Sequence, residues 1–373
     1  MALPRLPRAV RSVQVPLTSG SPRFHRLRIA ELRRETADCV SLAFAVPAAL
    51  RPRFSFTPGQ YLTLRTRIGG AEVRRSYSIC SGIDDGELRV AVKHVPDGVF
   101  SHFANTRLAA GDVLEVMPPA GRFGVPVGDH TYAAFAAGSG ITPILAILRT
   151  MLVRAPGSRF VLFYGSRTVA QIIFRTALED LKDRFLGRLS IIHVLSREGQ
   201  DVPALSGHLD ADRVARLLPA VVDPRTIDHA LVCGPGGMNA TVSAGLLGLG
   251  VTAERIHIER FVPAGGVGRP APAGVGVTLP AFATATIIHD GKTNDIAIAA
   301  GERVLEAALR AGLDLPWSCR GGMCSTCRAR LTVGTVEMAE NYALEPWETA
   351  AGYILTCQAR PTAGHITVDY DQV

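Results

Sequence analysis

The sequence predicts a multidomain chain: an antiparallel β-barrel, then a doubly wound parallel α/β domain, then a small module of strands and one helix that carries cysteines. Three observations predict it. Residues 22–127 are short alternating runs broken by turns such as "IGG", "DDG" and "AGD". Residues 128–262 alternate buried-strand and helix patterns. Residues 281–373 hold four of the seven cysteines, three of them inside "LPWSCRGGMCSTC". At 373 residues with 47% apolar content, the chain exceeds one domain and can fill several cores.

Before the barrel, residues 1–21 form a basic extension. Arg5, Arg8, Arg11, Arg23, Arg26 and Arg28 all precede the first acid, Glu31. Such a stretch suits a nucleic-acid arm or a transit segment, but reads most simply as a leader that solvates itself. The net charge of +7 is carried almost wholly by arginine, since lysine occurs only as Lys93, Lys182 and Lys292. No run of 18 apolar residues appears. The expectation is a soluble, cytoplasmic protein with neither membrane nor nucleic acid as partner.

In the second domain "TYAAFAA" is a buried strand, and "GSGITPILAILRTMLVRA" turns through Gly138 and Gly140 into a helix with Pro143 near its start. "RFVLFYGSR" and "LSIIHVLSRE" are further strands, with "VAQIIFRTALEDLKDRF" expected as one helix between them. "HALVCGPGGMNATVSAGLLGLG" gives strand, turn and helix, and "RIHIERF" closes the sheet. Ligands belong at the carboxyl ends of such strands. "GSGITP" alone is as readily an ordinary tight turn as a nucleotide loop. Residues 263–280, rich in Gly, Pro and Ala and free of acids, read as a linker.

In the last domain "ATATIIHDGKTNDIAIAAG" alternates around an Asp-Gly turn and reads as a hairpin. "ERVLEAALRAGLDL" is a short helix stopped at Gly312. Cys319, Cys324 and Cys327 then follow as C-x4-C-x2-C, and Cys357 comes after 29 further residues. That is the plant-type [2Fe–2S] spacing. Four thiolates must converge on two irons, and Gly321 and Gly322 let the loop bend so that its N–H groups face sulfur. A four-cysteine zinc site more often uses two C-x2-C knuckles, and only one is present. Cys39, Cys80 and Cys233 lie singly in apolar runs, as core residues do. Hairpin, helix and cysteine loop together resemble the β-grasp fold of plant-type ferredoxins.

Upstream, the chain resembles the ferredoxin–NADP reductase superfamily. Arg75-Ser76-Tyr77-Ser78 matches its R-x-Y-[ST] flavin motif. The resemblance implies Arg75 at the FAD pyrophosphate, Tyr77 on the isoalloxazine and the Ser78 hydroxyl near the flavin N5. "KHVPDGVFS", from Lys93, supplies a Gly98-x-x-Ser101 turn that completes the flavin phosphate site. "CGPGGM" matches the C-G-P-x-x-M strand end, with Cys233 beside the nicotinamide and Gly234 and Pro235 lining it. "FTPGQY" and Glu259-Arg260-Phe261 are also family-like. Gly138, Gly140 and Thr142 would hold the second dinucleotide's phosphates at a helix start. Ser166-Arg167 and Ser196-Arg197-Glu198, at two strand ends, resemble the NADPH-selective pattern, with NADH as the alternative and a solvated loop as the plainer reading. Glu259 reads equally as a rim carboxylate.

This resemblance implies an NAD(P)H oxidoreductase in which Ser78, Cys233 and Glu259 stand at the reacting rings. Hydride carriers deliver electrons in pairs and a [2Fe–2S] cluster accepts them singly, so a flavin must divide them. The domain order and wordings such as "NYALEPWETAAGYILTCQARP" resemble reductase subunits of phenylacetyl-CoA epoxidase (ring-oxygenating) complexes, over nearly the whole chain beyond residue 20. That implies a role in phenylacetate catabolism with a di-iron oxygenase component as electron acceptor. Relatives with the same domain order serve steroid or aromatic ring hydroxylases and hybrid-cluster proteins. A redox-sensing cluster protein is the alternative of another class.

Overall fold

The computed structural model describes residues 24–261, 280–362 and 364–372. The basic extension 1–21 and the linker 263–280, apart from Pro280, lie outside them.

Apolar–polar alternation builds the first domain. In β1 (His25–Thr36), Leu27 and Ile29 point inward between exposed arginines. It is joined by β2 (Cys39–Ala45), β3 (Tyr61–Ile68), β4 (Ala71–Ser78), β5 (Leu88–Lys93) and β6 (Val113–Val116), in the order β4-β3-β6-β1-β2-β5. Ile79, just past β4, pairs with Val90 of β5 and closes the sheet into a barrel. The domain is not all-β as expected: α1 (Val99–Thr106) follows β5 and buries Phe100 and Ala104. Its face is too short and too mixed with polar residues to declare itself by periodicity.

The second domain is a five-stranded parallel sheet, ordered β11-β10-β7-β8-β9. Its strands are β7 (Thr131–Ala137), β8 (Arg159–Ser166), β9 (Leu189–Leu195), β10 (His229–Gly234) and β11 (Ile256–Arg260). Helices α2 (Ile141–Arg154) and α3 (Arg175–Arg184) cover one face, and α4 (Ala211–Leu217) and α5 (Gly236–Gly248) the other. The helix expected over 169–185 starts late. Ile172, Ile173 and Phe174 are buried in non-helical backbone, and Phe174 takes φ +60° before α3 begins. Burial of that apolar run against the sheet outweighs its helical pattern.

The third domain has the order β13-β12-β18-β14-β16 in its main sheet and a small β15–β17 pair. It is built from β12 (Ala281–His289), β13 (Lys292–Ala299), α6 (Val304–Arg310), β14 (Arg328–Val333), β15 (Val336–Met338), α7 (Pro346–Ala350), β16 (Tyr353–Leu355), β17 (Ala359–Pro361) and β18 (His365–Asp369). Asp290 and Gly291 both have positive φ, as the hairpin between β12 and β13 requires. Strand β18 fills the centre, parallel to β12 and antiparallel to β14.

Candidate functional site

Strand alternation divides the R-x-Y-S run. Arg75 and Tyr77 share the face of their β3 partners Leu64 and Leu62, whereas Arg74, Ser76 and Ser78 share that of Arg65, Thr63 and Tyr61. Tyr77 packs on Phe100 at 5.4 Å, which brings this run to the first turn of α1. Burial pushes the Tyr77 phenol well up. Arg75 is exposed and braced by its bond to the Arg74 carbonyl, 2.7 Å. A Cβ on Gly98 would lie 2.3 Å from Ser101 Oγ and 2.5 Å from Val95 Cγ2, so only glycine fits. The Ser101 hydroxyl donates to the Gly98 carbonyl (2.9 Å) and accepts from the Val95 amide (3.2 Å). With no side-chain cap on α1, its first amides are open to an anion. An arginine fork, an uncapped helix start and an aromatic face fit a flavin dinucleotide.

At the carboxyl ends of the parallel strands the backbone is packed tightly. A Cβ on Gly140 would sit 2.0 Å from the Cys233 carbonyl oxygen, and one on Gly234 2.6 Å from Met238 Cε. Gly138 takes φ +53°, and its carbonyl accepts from the Tyr164 hydroxyl at 3.0 Å. Lys93, from the barrel, reaches within 3.5 Å of where a Gly138 Cβ would be. Thr142 is buried and donates to the Ser139 carbonyl, 2.9 Å. Pro235 precedes α5 as its N-cap.

Cys233 is fully buried and stands in register with Glu259. Burial first, and then the neighbouring Glu259, push its thiol well up. Burial alone lifts Glu259 to about 8. Phe261 packs on the core that contains Cys233. Ser166 is buried while Arg167 and Arg197 are exposed. The Ser196 and Arg197 amides bond the Ser166 and Arg167 carbonyls at 2.9 and 2.8 Å. Glu198 is engaged by the Val169 amide at 2.8 Å.

The cysteines gather where left-handed Arg320, Gly322 and Ser325 curl the loop. Gly321 N–H donates to Cys319 Sγ (3.3 Å) and Cys319 N–H to Cys324 Sγ (3.4 Å). The Cys324 thiol first, and then the loop amides, pull Cys319 down to about 6. The thiols fall into two facing pairs, Cys319 with Cys324 and Cys327 with Cys357. Two irons with two protein thiolates each fit that arrangement. Sequence reasoning missed Gln358, whose side-chain amide donates to the Arg320 carbonyl (2.7 Å) and approaches Cys357 Sγ (3.6 Å). It also missed Arg74, although the doubled arginine before the tyrosine was a signal, since the pyrophosphate asks for only one.

Three family models match the chain. "Oxidoreductase FAD-binding domain" covers residues 26–125, "Oxidoreductase NAD-binding domain" 135–244, and "2Fe-2S iron-sulfur cluster binding domain" 287–362. The chain is 42% identical to a 1,2-phenylacetyl-CoA epoxidase subunit of Escherichia coli strain K12, over 93% of this chain and 98% of that one. It is 35% identical to the ferredoxin reductase component of 3-ketosteroid-9-alpha-monooxygenase of Rhodococcus rhodochrous, over 88% and 90%. Among solved structures, phthalate dioxygenase reductase shares the fold with a TM-score of 0.54 at 22% identity, covering 93% and 98% of the two chains.

Proposed function

The chain belongs to the family of FAD- and [2Fe–2S]-containing reductases that includes the matched phenylacetyl-CoA epoxidase subunit, and from that premise we propose that it is the reductase of such a ring-oxygenating complex, feeding electrons from NADPH to a di-iron oxygenase component. Its domains are those of an oxidoreductase, and reductases of this family supply oxygenase partners. The choice of acceptor rests on likeness to the Escherichia coli epoxidase protein along nearly its whole length. No helix among the described residues is long and apolar enough to cross a membrane.

FAD bound to the first domain would supply the chemistry that turns a hydride's electron pair into single electrons for the cluster. The chain's own residues orient that exchange. Arg75 and the open amides of α1 would hold the pyrophosphate, with Gly98 and Ser101 shaping the turn and Tyr77 flanking the ring system. Lys93 would bring its charge to the glycine loop at Gly138, Gly140 and Thr142. Cys233, Gly234 and Pro235 form a closely packed floor for the nicotinamide, with Phe261 behind. Glu259, lifted to about 8, holds a proton at neutral pH and places no charge beside the ring. Ser166, Arg167, Ser196 and Arg197 would receive a 2′-phosphate, and the Val169 amide holds the Glu198 carboxylate by one oxygen.

Reconstitution tests this reading. The chain, combined with the di-iron component of its own host, should couple NADPH oxidation to oxygenation of phenylacetyl-CoA. Coupling to a ketosteroid hydroxylase instead, with none to the di-iron component, would overturn the choice of acceptor.

A further inference from the structure

The barrel and the cysteine-bearing third domain are separate, yet they meet at Arg74, at Tyr61 and at Arg122, with a further contact between these. Arg74 is buried; its Nη2 donates to Asp314 Oδ1 at 2.7 Å, its Nη1 to the Leu315 carbonyl at 3.1 Å, and its guanidinium lies 4.6 Å over the Trp317 ring. The Tyr61 hydroxyl donates to the Cys324 carbonyl and stands 3.0 Å from Thr326 Oγ1. Arg122 pairs with the fully buried Glu348, whose other oxygen lies 2.8 Å from Nε of Arg328, the residue after Cys327. Between these points the hydroxyls of Ser76 and Ser318 meet at 2.7 Å. One hydrogen bond thus joins the neighbour of Arg75 and Tyr77 to the neighbour of Cys319.

A buried guanidinium needs its donors satisfied, and among the described residues of its own domain Arg74 finds one hydrogen-bond acceptor, Glu72 at 2.7 Å, beside the Phe24 ring at 5.1 Å. The first domain is therefore built to receive the third. We propose that Arg74, Tyr61 and Arg122 are positioning residues that dock the third domain on the barrel, with its cysteine loop beside the flavin strand, and that this docking sets the rate at which electrons cross to the cluster. The proposal rests on the reductase reading. In each crossing one electron leaves the reduced flavin and one ferric iron becomes ferrous. Because the cluster stores a single electron, it must pass the first to the oxygenase acceptor before the second crosses; the two crossings together discharge one hydride, whose proton passes to water, and no bond in the protein forms or breaks.

The test uses Asp314→Arg, an exposed site whose substitution spares both cores, with Arg122→Ala, Arg74→Gln and Arg74→Lys, all in the full-length chain carrying both cofactors. Small-angle scattering reads compactness, and stopped-flow absorbance reads flavin reduction and cluster reduction separately. Asp314→Arg, Arg122→Ala and Arg74→Gln should enlarge the radius of gyration and slow cluster reduction about tenfold, a coupling of ordinary size. Flavin reduction by NADPH should keep its rate, and Arg74→Lys, which keeps the charge, should recover part of the loss. Wild-type compactness together with wild-type cluster reduction in Asp314→Arg and Arg122→Ala would overturn the docking. A wild-type chain whose flavin NADPH does not reduce would remove the reductase reading and the docking with it.

Discussion

The barrel's two junctions are made of different material. Between barrel and nucleotide domain a single apolar core runs through: Cys39, Cys80, Ala91 and Phe123 from the first pack with Ile144, Leu148 and Met151 of α2 in the second. Between barrel and third domain the contacts are guanidinium, hydroxyl and carboxylate, and the third domain keeps a core wholly its own. Hydride transfer needs two rings held at fixed distance and angle, which a shared, densely packed core supplies. A polar junction holds more weakly and can reopen, as suits a carrier that must also meet an outside acceptor.

The sharpest way to break that comparison is Cys357→Ser. Cytochrome c reduction should fall to background with loss of the cluster, while NADPH–ferricyanide activity, served by the flavin half, continues at the wild-type rate. Loss of both activities would mean that the third domain is not separable. Next, Ile144→Ala in the shared core should lower stability by about 2–5 kcal/mol. In calorimetry the barrel and nucleotide domain should melt earlier together, while the transition of the third domain stays put.

Arg75→Ala should weaken FAD by roughly 1.5–3 kcal/mol, the worth of a hydrogen bond to a charged group, or about 10–100-fold. Gel filtration at low concentration would then yield colourless flavin sites beside an intact cluster. Retained stoichiometric FAD would count against Arg75 at the pyrophosphate.

The pH dependence of the nucleotide domain offers a smaller effect. Burial raises the folded pKa of Glu259 above its ordinary value, so the folded chain binds the proton more tightly than the unfolded one. Stability from this group is full below the ordinary carboxylate range and declines as pH rises toward about 8, at most about 1.4 kcal/mol per pH unit. Glu259→Gln should flatten denaturation midpoints across that window; an unchanged slope would show that Glu259 does not titrate there. The smallest effect belongs to Arg197→Ala, which should raise KM for NADPH by about fivefold, the order of 1 kcal/mol for an exposed charge contact, and leave NADH unchanged.

Local signals carried much of the fold. The Asp290-Gly291 turn, the strand of Thr131–Ala137 and the cysteine spacing each depend on neighbours in sequence, and were legible. Helix α1 and the buried Ile172-Ile173-Phe174 run depend on what packs over them, and were not. The site divides the same way. Arg74 and Arg75 are the same residue type side by side, and only strand alternation and the presence of another domain send one into a junction and leave the other exposed on the opposite face. Glu348 reads as a surface helix residue until Arg122 and Arg328 close over it.

Strand β18 carries a consequence for how the protein is made. It occupies the middle of the third sheet, yet it leaves the ribosome after every other strand of that sheet. Until it arrives, β12 and β14 have no common neighbour, and the core that Cys327 and Cys357 share with Ile366 and Val368 is unfinished. A nascent chain interrupted short of His365 would carry a working flavin half beside four unprotected, oxidisable sulfurs.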